Sequence, residues 1–391
     1  MRTATLSLSQ IYYQKMQNLQ ISENHLSFVT EFIQHTFNDA IVRNVSDIHF
    51  EPHREHLRIR FRIDGILSEI CRAPIFIIPT LIAHIKIRAK LDIAEKRIPQ
   101  DGRFEIVTDQ QIHCDFRIST CPTIFGEKIV ARLLPSHSAL FSIAELGMNT
   151  IEQATFLSAI HKPQGLILIT GPTGSGKTTT LYAALSLLNS TTRNISTIED
   201  PVEIAISGIN QLNVNHKIGL DFSHALRALL RQDPDVIMIG EIRDSETADL
   251  AMRAAQTGHL VFATLHTNDA LETLTRLKML GVNIEDLANS LLLILAQRLV
   301  RKLCSHCKML DVRTNNHYIA NQCEQCHDGY HQRTGVYELF PITDETKLML
   351  LKYKHPAFIK MQTQFIPLKQ AGFAKVQQGI TSVSEIFRVI G

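Results

Sequence analysis

The densest chemistry in the sequence lies at Gly171-Pro172-Thr173-Gly174-Ser175-Gly176-Lys177-Thr178-Thr179, which fits the pattern G-x-x-x-x-G-K-[ST]. Its glycines allow backbone angles that a side chain forbids, so successive N–H groups can turn inward around phosphate oxygens. Lys177 is then placed to reach the β- and γ-phosphates of a nucleotide such as ATP, and Thr178 to put its hydroxyl on Mg²⁺. A glycine-rich turn that only caps a helix is the bland alternative. The flanks argue against it: Gly165 to Thr170 is an apolar run suited to a buried parallel strand, and Thr179 to Leu188 reads as a helix.

Further polar residues stand at the ends of apolar runs. Glu241 follows Val236-Ile237-Met238-Ile239-Gly240, where a nucleotide-hydrolysing protein holds a carboxylate for the Mg²⁺ shell or for the attacking water. The usual residue there is Asp; the longer Glu suits a water-mediated metal contact or a general-base role. Glu199, Asp200 and Glu203 form a second acidic group that can share the metal shell and position water. His266 ends the run Leu260 to Leu265 and can donate a hydrogen bond to the γ-phosphate; alone, a histidine capping a strand end is the better explanation, but beside Lys177 and Glu241 in one sheet the phosphate reading is preferred.

Cys304-x-x-Cys307 and Cys323-x-x-Cys326 are separated by residues 308–322. That spacing is a strong zinc signature, and a closed four-thiolate site leaves no position for substrate, so the Zn²⁺ is structural. A redox dithiol needs one pair and a thioredoxin-like context. The remaining Cys71, Cys114 and Cys121 are isolated, consistent with a reducing compartment.

At 391 residues the chain is long enough for two or three domains. A hydrophobic fraction of 45% with 20% charged residues is that of a soluble globular protein, and a net charge of +2 supplies no one-signed field for direct nucleic-acid binding. No apolar run approaches the roughly 20 residues of a membrane span.

An amphipathic helix is expected over Ser22 to Arg43. Leu57 to Ile63 alternates apolar residues with Arg58, Arg60 and Arg62, which predicts a half-buried strand with a charged face. Those arginines suit either a solvated surface or a phosphate reached across a subunit boundary. A helix over Ile77 to Ala89 follows. Gln100-Asp101-Gly102-Arg103 is expected to turn into a strand pair, Arg103 to Thr108 and Ile112 to Ser119, making helix, hairpin, helix, hairpin. Beyond it strands and helices alternate, with strands at Asn194–Ile198, Val236–Gly240 and Leu260–Leu265 and helices at Phe222–Arg231 and Thr247–Thr257. The polar strand ends then collect where open parallel sheets bind ligands.

These residues resemble those of the hexameric secretion ATPases that power type II secretion and type IV pilus assembly. The matching stretches are Ser46-Asp47-Ile48-His49-Phe50-Glu51-Pro52, Leu91 to Arg97, Gln100 to Arg103, Gly126-Glu127-Lys128, Ile198 to Glu203, Arg231 to Asp235, Gly240 to Asp244 and Thr264 to Asn268. The resemblance implies an α/β protein: a PAS-like α+β domain over 1–134, a linker over 135–147, and a RecA-like ATPase domain over 148–391 that includes a zinc segment at 302–330 and a helical part at 340–391. It implies that Glu199 to Glu203 is the family's Asp box, Gly240 to Asp244 its atypical Walker B, and the segment around His266 its His box. Arg103 and Arg117 are the closest matches to arginines that approach the nucleotide phosphates, and Arg243 is a further candidate.

It also implies a homo-hexamer, cytoplasmic and peripheral to the inner membrane, that works on a membrane platform protein. Three departures stand out. The further N-terminal domain usual in the family would lie before this sequence, Gln332 occupies a usual glycine position, and the loop between the cysteine pairs is short. Retraction ATPases of the superfamily lack the four cysteines, which favours assembly or secretion. A DNA-uptake motor and a non-hydrolysing nucleotide-binding scaffold are the alternatives; a zinc-ribbon nucleic-acid binder is disfavoured by the near-zero charge.

Overall fold

The computed structural model describes residues 25–108, 113–134, 142–312, 317–353 and 365–391. The chain divides into two compact units, Met1–Ser138 and Ala139–Gly391.

In the first unit, helix α1 (His25–Val42) buries Val29, Phe32, Ile33, Phe37 and Ala40, an apolar stripe at helical spacing. Strands β1 (Asp47–Pro52), β2 (His56–Ile63) and β3 (Ile66–Pro74) follow, then helix α2 (Ile78–Arg88). Strands β4 (Gln100–Val107), β5 (His113–Thr123) and β6 (Gly126–Leu133) complete an antiparallel sheet of order β3-β2-β1-β6-β5-β4. Asp64 and Gly65 both have positive φ, 49° and 86°, which gives the β2–β3 hairpin the turn that matches strand twist. Ile48, Phe50, Ile59, Phe61, Phe116 and Ile129 pack with the helices in one core.

Two expectations for this unit need correction. Each helix is followed by three strands rather than a hairpin. Gln100 to Arg103 is strand, paired Gln100↔Thr120 through Arg103↔Arg117, and not a turn. Gly102 is required by close approach, since a Cβ there would lie 2.5 Å from the Ala89 carbonyl oxygen and 2.8 Å from Leu91.

The second unit opens with a short turn, Ile143–Leu146, whose Ile143 and Leu146 are buried in its core, although the sequence suggests linker there. Next come α3 (Thr150–Ile160), β7 (Gly165–Thr170), α4 (Lys177–Leu188), β8 (Ile195–Glu199), β9 (Asn210–Asn213), α5 (Phe222–Leu229), β10 (Val236–Ile239), α6 (Ser245–Gln256) and β11 (Leu260–Leu265). Helices α7 (Ala270–Met279) and α8 (Ile284–Ser290) lead into the long β12 (Leu291–Leu303). The short β13 (Met309–Leu310) and β14 (Tyr318–Ile319) pair with each other. Then β15 (Tyr330–Pro341) precedes helices α9 (Asp344–Tyr353), α10 (Leu368–Gln377) and α11 (Val383–Ile390).

The sheet order is β15-β12-β7-β11-β10-β8-β9. Only β15 runs antiparallel to its neighbour, so this α/β sheet is mixed. Alternate residues serve two cores: Ile167 and Ile169 of β7 face α4, whereas Leu166 and Leu168 join the core that includes α6. A sheet covered on both faces leaves the carboxyl ends of its strands as the open edge. Gln332, at the usual glycine position, has φ 64°, and its side-chain oxygen accepts a hydrogen bond from Lys302 Nζ at 2.9 Å. The backbone conformation that favours glycine is therefore kept without one.

Candidate functional site

Strand β7 ends at Thr170 and the chain turns through Gly171, Pro172, Thr173, Gly174, Ser175 and Gly176 into α4. Gly171, Gly174 and Gly176 have φ of 150°, 79° and 88°. Gly176 is the N-cap residue, which is why the helix begins at Lys177, two residues earlier than periodicity suggests. A Cβ on Gly171 would lie 2.6 Å from both the Gln297 carbonyl oxygen and Ser175 Oγ. Ser175 Oγ is buried with no hydrogen-bond partner among the described residues. This cradle of bare backbone at a helix N-terminus fits a nucleotide's phosphates.

Lys177 Nζ donates to the carbonyl oxygens of Gly171 at 2.8 Å and Pro172 at 3.2 Å, folded back across the loop. Burial pulls its pKa down to about 8; the Glu241 carboxylate opposes this and the Arg298 charge adds to it. Thr178 and Thr179 lie half-buried on the first turn of α4.

Glu241 follows β10 and carries Arg243 on one carboxylate oxygen, while His266 Nε2 lies 3.6 Å from the other. The His266 pKa is lowered by burial and by the Lys177 charge, against the pull of Glu241. Lys177, Glu241, His266 and Arg243 thus interact electrostatically as one cluster at the ends of β7, β10 and β11.

The acidic group after β8 separates. Glu199 is buried and accepts hydrogen bonds from Tyr182, from Thr197 Oγ1 at 2.6 Å and from Gln211 Nε2 at 3.2 Å. These three hydrogen bonds tie Glu199 to α4, β8 and β9 and occupy three of the carboxylate's roughly four acceptor positions. Asp200 lies 3.6 Å from His216 Nε2 and close enough to Arg243 to raise its pKa. Glu203 is exposed on the turn beyond.

In the first unit Arg103 on β4 stands directly opposite Arg117 on β5, which stands opposite Arg132 on β6. Arg117 Nη2 reaches Asp101 at 3.9 Å and Arg132 Nε reaches Asp47 at 2.8 Å.

Near the sheet's far edge the four cysteines converge. Cys304 and Cys323 sulfurs are 3.8 Å apart, Cys307 and Cys326 3.7 Å, and Cys323 and Cys326 3.5 Å, with all four within 4.8 Å of one another. A tetrahedron with metal–sulfur bonds of about 2.3 Å has edges of about 3.8 Å, so the donor set fits zinc.

Residues 22–388 match the family described as type II/IV secretion system protein. The chain belongs to this family. It is 48% identical over 380 residues to the type IV pilus assembly ATPase PilB of Pseudomonas aeruginosa, an alignment covering 92% of this chain and 67% of that one. It is 45% identical over 382 residues to PilB of Acinetobacter baylyi, covering 92% and 66% respectively. Against the type II secretion system protein E of Dickeya dadantii it is 45% identical, covering 92% and 75%. The chain thus spans about two thirds of the length of the pilus-assembly relatives.

Among solved structures, the pilus retraction motor PilT with bound ADP is 28% identical with a TM-score of 0.64, covering 91% of this chain and 96% of that one. Legionella pneumophila DotB, at 23% identity and TM-score 0.72, covers 92% and 95% and shares the fold.

Sequence reasoning about this secretion-family chain missed the residues behind the loops. Gln297 and Arg298 sit in the middle of β12, which joins the sheet beside β7. Both are buried. Two polar residues inside the otherwise apolar run Leu291 to Val300 are the signal that would have found them. Thr170, Thr267 and Thr273 form a buried hydroxyl chain joining the end of β7 to the turn after His266.

Proposed function

We propose that this chain is an ATP-hydrolysing motor subunit of a type IV pilus-assembly or type II secretion machine, its first unit PAS-like and its second RecA-like. The observation that carries this reading is the convergence of Lys177, Glu241 and His266 on the phosphate cradle. Loop N–H groups and Lys177 bind the phosphates, and Thr178 would hold Mg²⁺. When bound, Mg²⁺ would neutralise charge building up on the phosphates. Glu241 accepts the proton of the attacking water, whose oxygen bonds to the γ-phosphorus as the bond to the ADP oxygen breaks. His266 donates a hydrogen bond to the γ-phosphate. Arg103 and Arg117 approach that phosphate from a neighbouring subunit of a homo-hexamer. The ring works in the cytoplasm on an inner-membrane platform protein, and Zn²⁺ on Cys304, Cys307, Cys323 and Cys326 is structural.

Steady-state hydrolysis by purified protein tests this. Lys177→Ala should abolish turnover, and Glu241→Gln should bind ATP yet hydrolyse it roughly 10² to 10⁴ times more slowly. Equal rates for Glu241→Gln and the parent would remove Glu241 from the mechanism. Elemental analysis should give about one zinc per chain, and Cys304→Ser should lower the melting temperature more than it lowers nucleotide affinity.

A further inference from the structure

Adjacent residues of a strand point to opposite faces, and at Gln297 and Arg298 the two faces lead to two different loops. Gln297 points toward α4. Its Nε2 donates to the Ser175 carbonyl at 2.7 Å, and its Oε1 accepts from Thr180 Oγ1 at 2.9 Å. The carbonyl of Ser175 and the N–H of Gly176 are opposite ends of one planar trans peptide. Holding the carbonyl outward on Gln297 therefore aims the Gly176 N–H the other way, toward the cradle. The same residue's own carbonyl oxygen packs closely against Gly171, at the entry of the phosphate loop.

Arg298 turns to the other face. Its Nη2 donates to the carbonyl oxygen of Asn268 at 3.1 Å and to Asn268 Oδ1 at 3.3 Å, two residues beyond His266. Its Nη1 donates to the Gln297 carbonyl at 3.0 Å and closes the pair. The same turn is fixed from the other end by the Asn268 N–H on Glu272, at 2.6 Å.

We propose that Gln297 and Arg298 are positioning residues with separate tasks: Gln297 holds the phosphate loop in its nucleotide-receiving shape, and Arg298 sets the turn that carries His266. The first then governs nucleotide affinity and the second governs turnover. This rests on the ATPase reading given above. Both side chains are engaged with the protein's own loops. Each works through the backbone it holds.

The test measures affinity for a fluorescent ADP analogue, together with kcat and KM for ATP, on the full purified chain. Gln297→Met keeps the volume and removes both hydrogen bonds. It should weaken ADP binding and raise KM roughly tenfold to thirtyfold, with kcat within about threefold. Arg298→Met should leave ADP affinity within about threefold and lower kcat about tenfold or more, and Arg298→Lys, which keeps one charged donor, should recover part of it. In a double-mutant cycle, Thr180→Val should add less to Gln297→Met than to the parent, because they share a bond. Parental ADP affinity in Gln297→Met, or equal shifts of KM and kcat in both variants, would overturn the assignment. Should Gln297→Met fail to fold, Thr180→Val alone decides: weaker ADP binding supports the brace and parental binding overturns it. A folded parent chain that binds no ADP would instead overturn the ATPase reading itself.

Discussion

Two groups of arginines lie on the same polar face of the first unit's sheet and meet opposite electrostatic fates. Arg58 Nε and Arg60 Nε donate to Glu51 at 3.0 and 2.9 Å, and Lys128 adds a contact at 3.0 Å. Burial pushes the Glu51 carboxyl up, but the hydrogen bonds and charges of Arg60 and Lys128 more than offset it and hold the pKa at about 2. Arg62 shares Asp47 with Arg132. Across the sheet Arg103 faces Arg117, and among the described residues of this unit Arg103 makes no salt bridge and Arg117 only the 3.9 Å one to Asp101. Like charges directly opposite are destabilising in a sheet. The first group is satisfied within its own unit; the second is a cationic pair in search of an anion. An arginine row alone does not mark a phosphate site, and the carboxylates the fold sets beside it decide which reading holds.

The largest expected effect breaks this comparison if it is wrong. Arg103→Ala and Arg117→Ala should each lower kcat by roughly 10³ or more if they act as arginine fingers in trans. Arg60→Ala should leave turnover within about twofold and cost about 1–3 kcal/mol of stability, the worth of a hydrogen bond between charged groups. Mixing inactive Lys177→Ala chains with inactive Arg103→Ala chains should restore activity at composite interfaces. A mixture that stays dead while light scattering shows mixed rings would place Arg103 in its own chain's site or outside catalysis.

This contrast also marks how far the sequence can be read. The motif from Gly171 to Thr178 carries its own geometry, because glycine spacing, strand and helix are all local. Glu241 and His266 were legible because each ends an apolar run. The alternation from Leu57 to Ile63 correctly put Arg58, Arg60 and Arg62 on one face, yet Glu51 reaches them only through the register of β1 on β2. Glu199 illustrates the same limit: its hydrogen-bond partners come from α4, β8 and β9, and only the packed sheet brings Tyr182 and Gln211 to it. Gly102 was misread as a turn residue because close backbone approach and turn formation both select glycine.

A second expectation sharpens the neutralised side. The folded Glu51 pKa is depressed from 4.5 to about 2, so its stabilising contribution is fully present above pH 4.5 and is lost as pH falls through about 2. Glu51→Gln, which also leaves Arg58, Arg60 and Lys128 without their carboxylate, should lower the melting temperature at pH 7 by roughly 5–10 °C. That gap should narrow as parent and variant are melted at successively lower pH toward 2. An unchanged gap between pH 7 and the acid limit would mean that packing, and not charge, holds Glu51 in place.

The smallest effect separates lysine from arginine as a phosphate ligand. An arginine stays charged throughout the physiological range, so contributions from Arg103 or Arg117 should be flat in pH. Lys177 is different, because burial brings its pKa to about 8 in the nucleotide-free site. A bound phosphate favours the ammonium, so binding near pH 8 should take up a proton. Affinity is then full below pH 8 and falls above it as the free protein loses the charge, by about fourfold between pH 7 and 8.5. Calorimetry with ADP in two buffers of different ionisation enthalpy reads the proton directly, and using ADP keeps hydrolysis out of the signal. Buffer-independent heats with constant affinity from pH 7 to 9 would show that Lys177 keeps its full charge in the free site, and the lysine and the arginines would then be electrostatically alike.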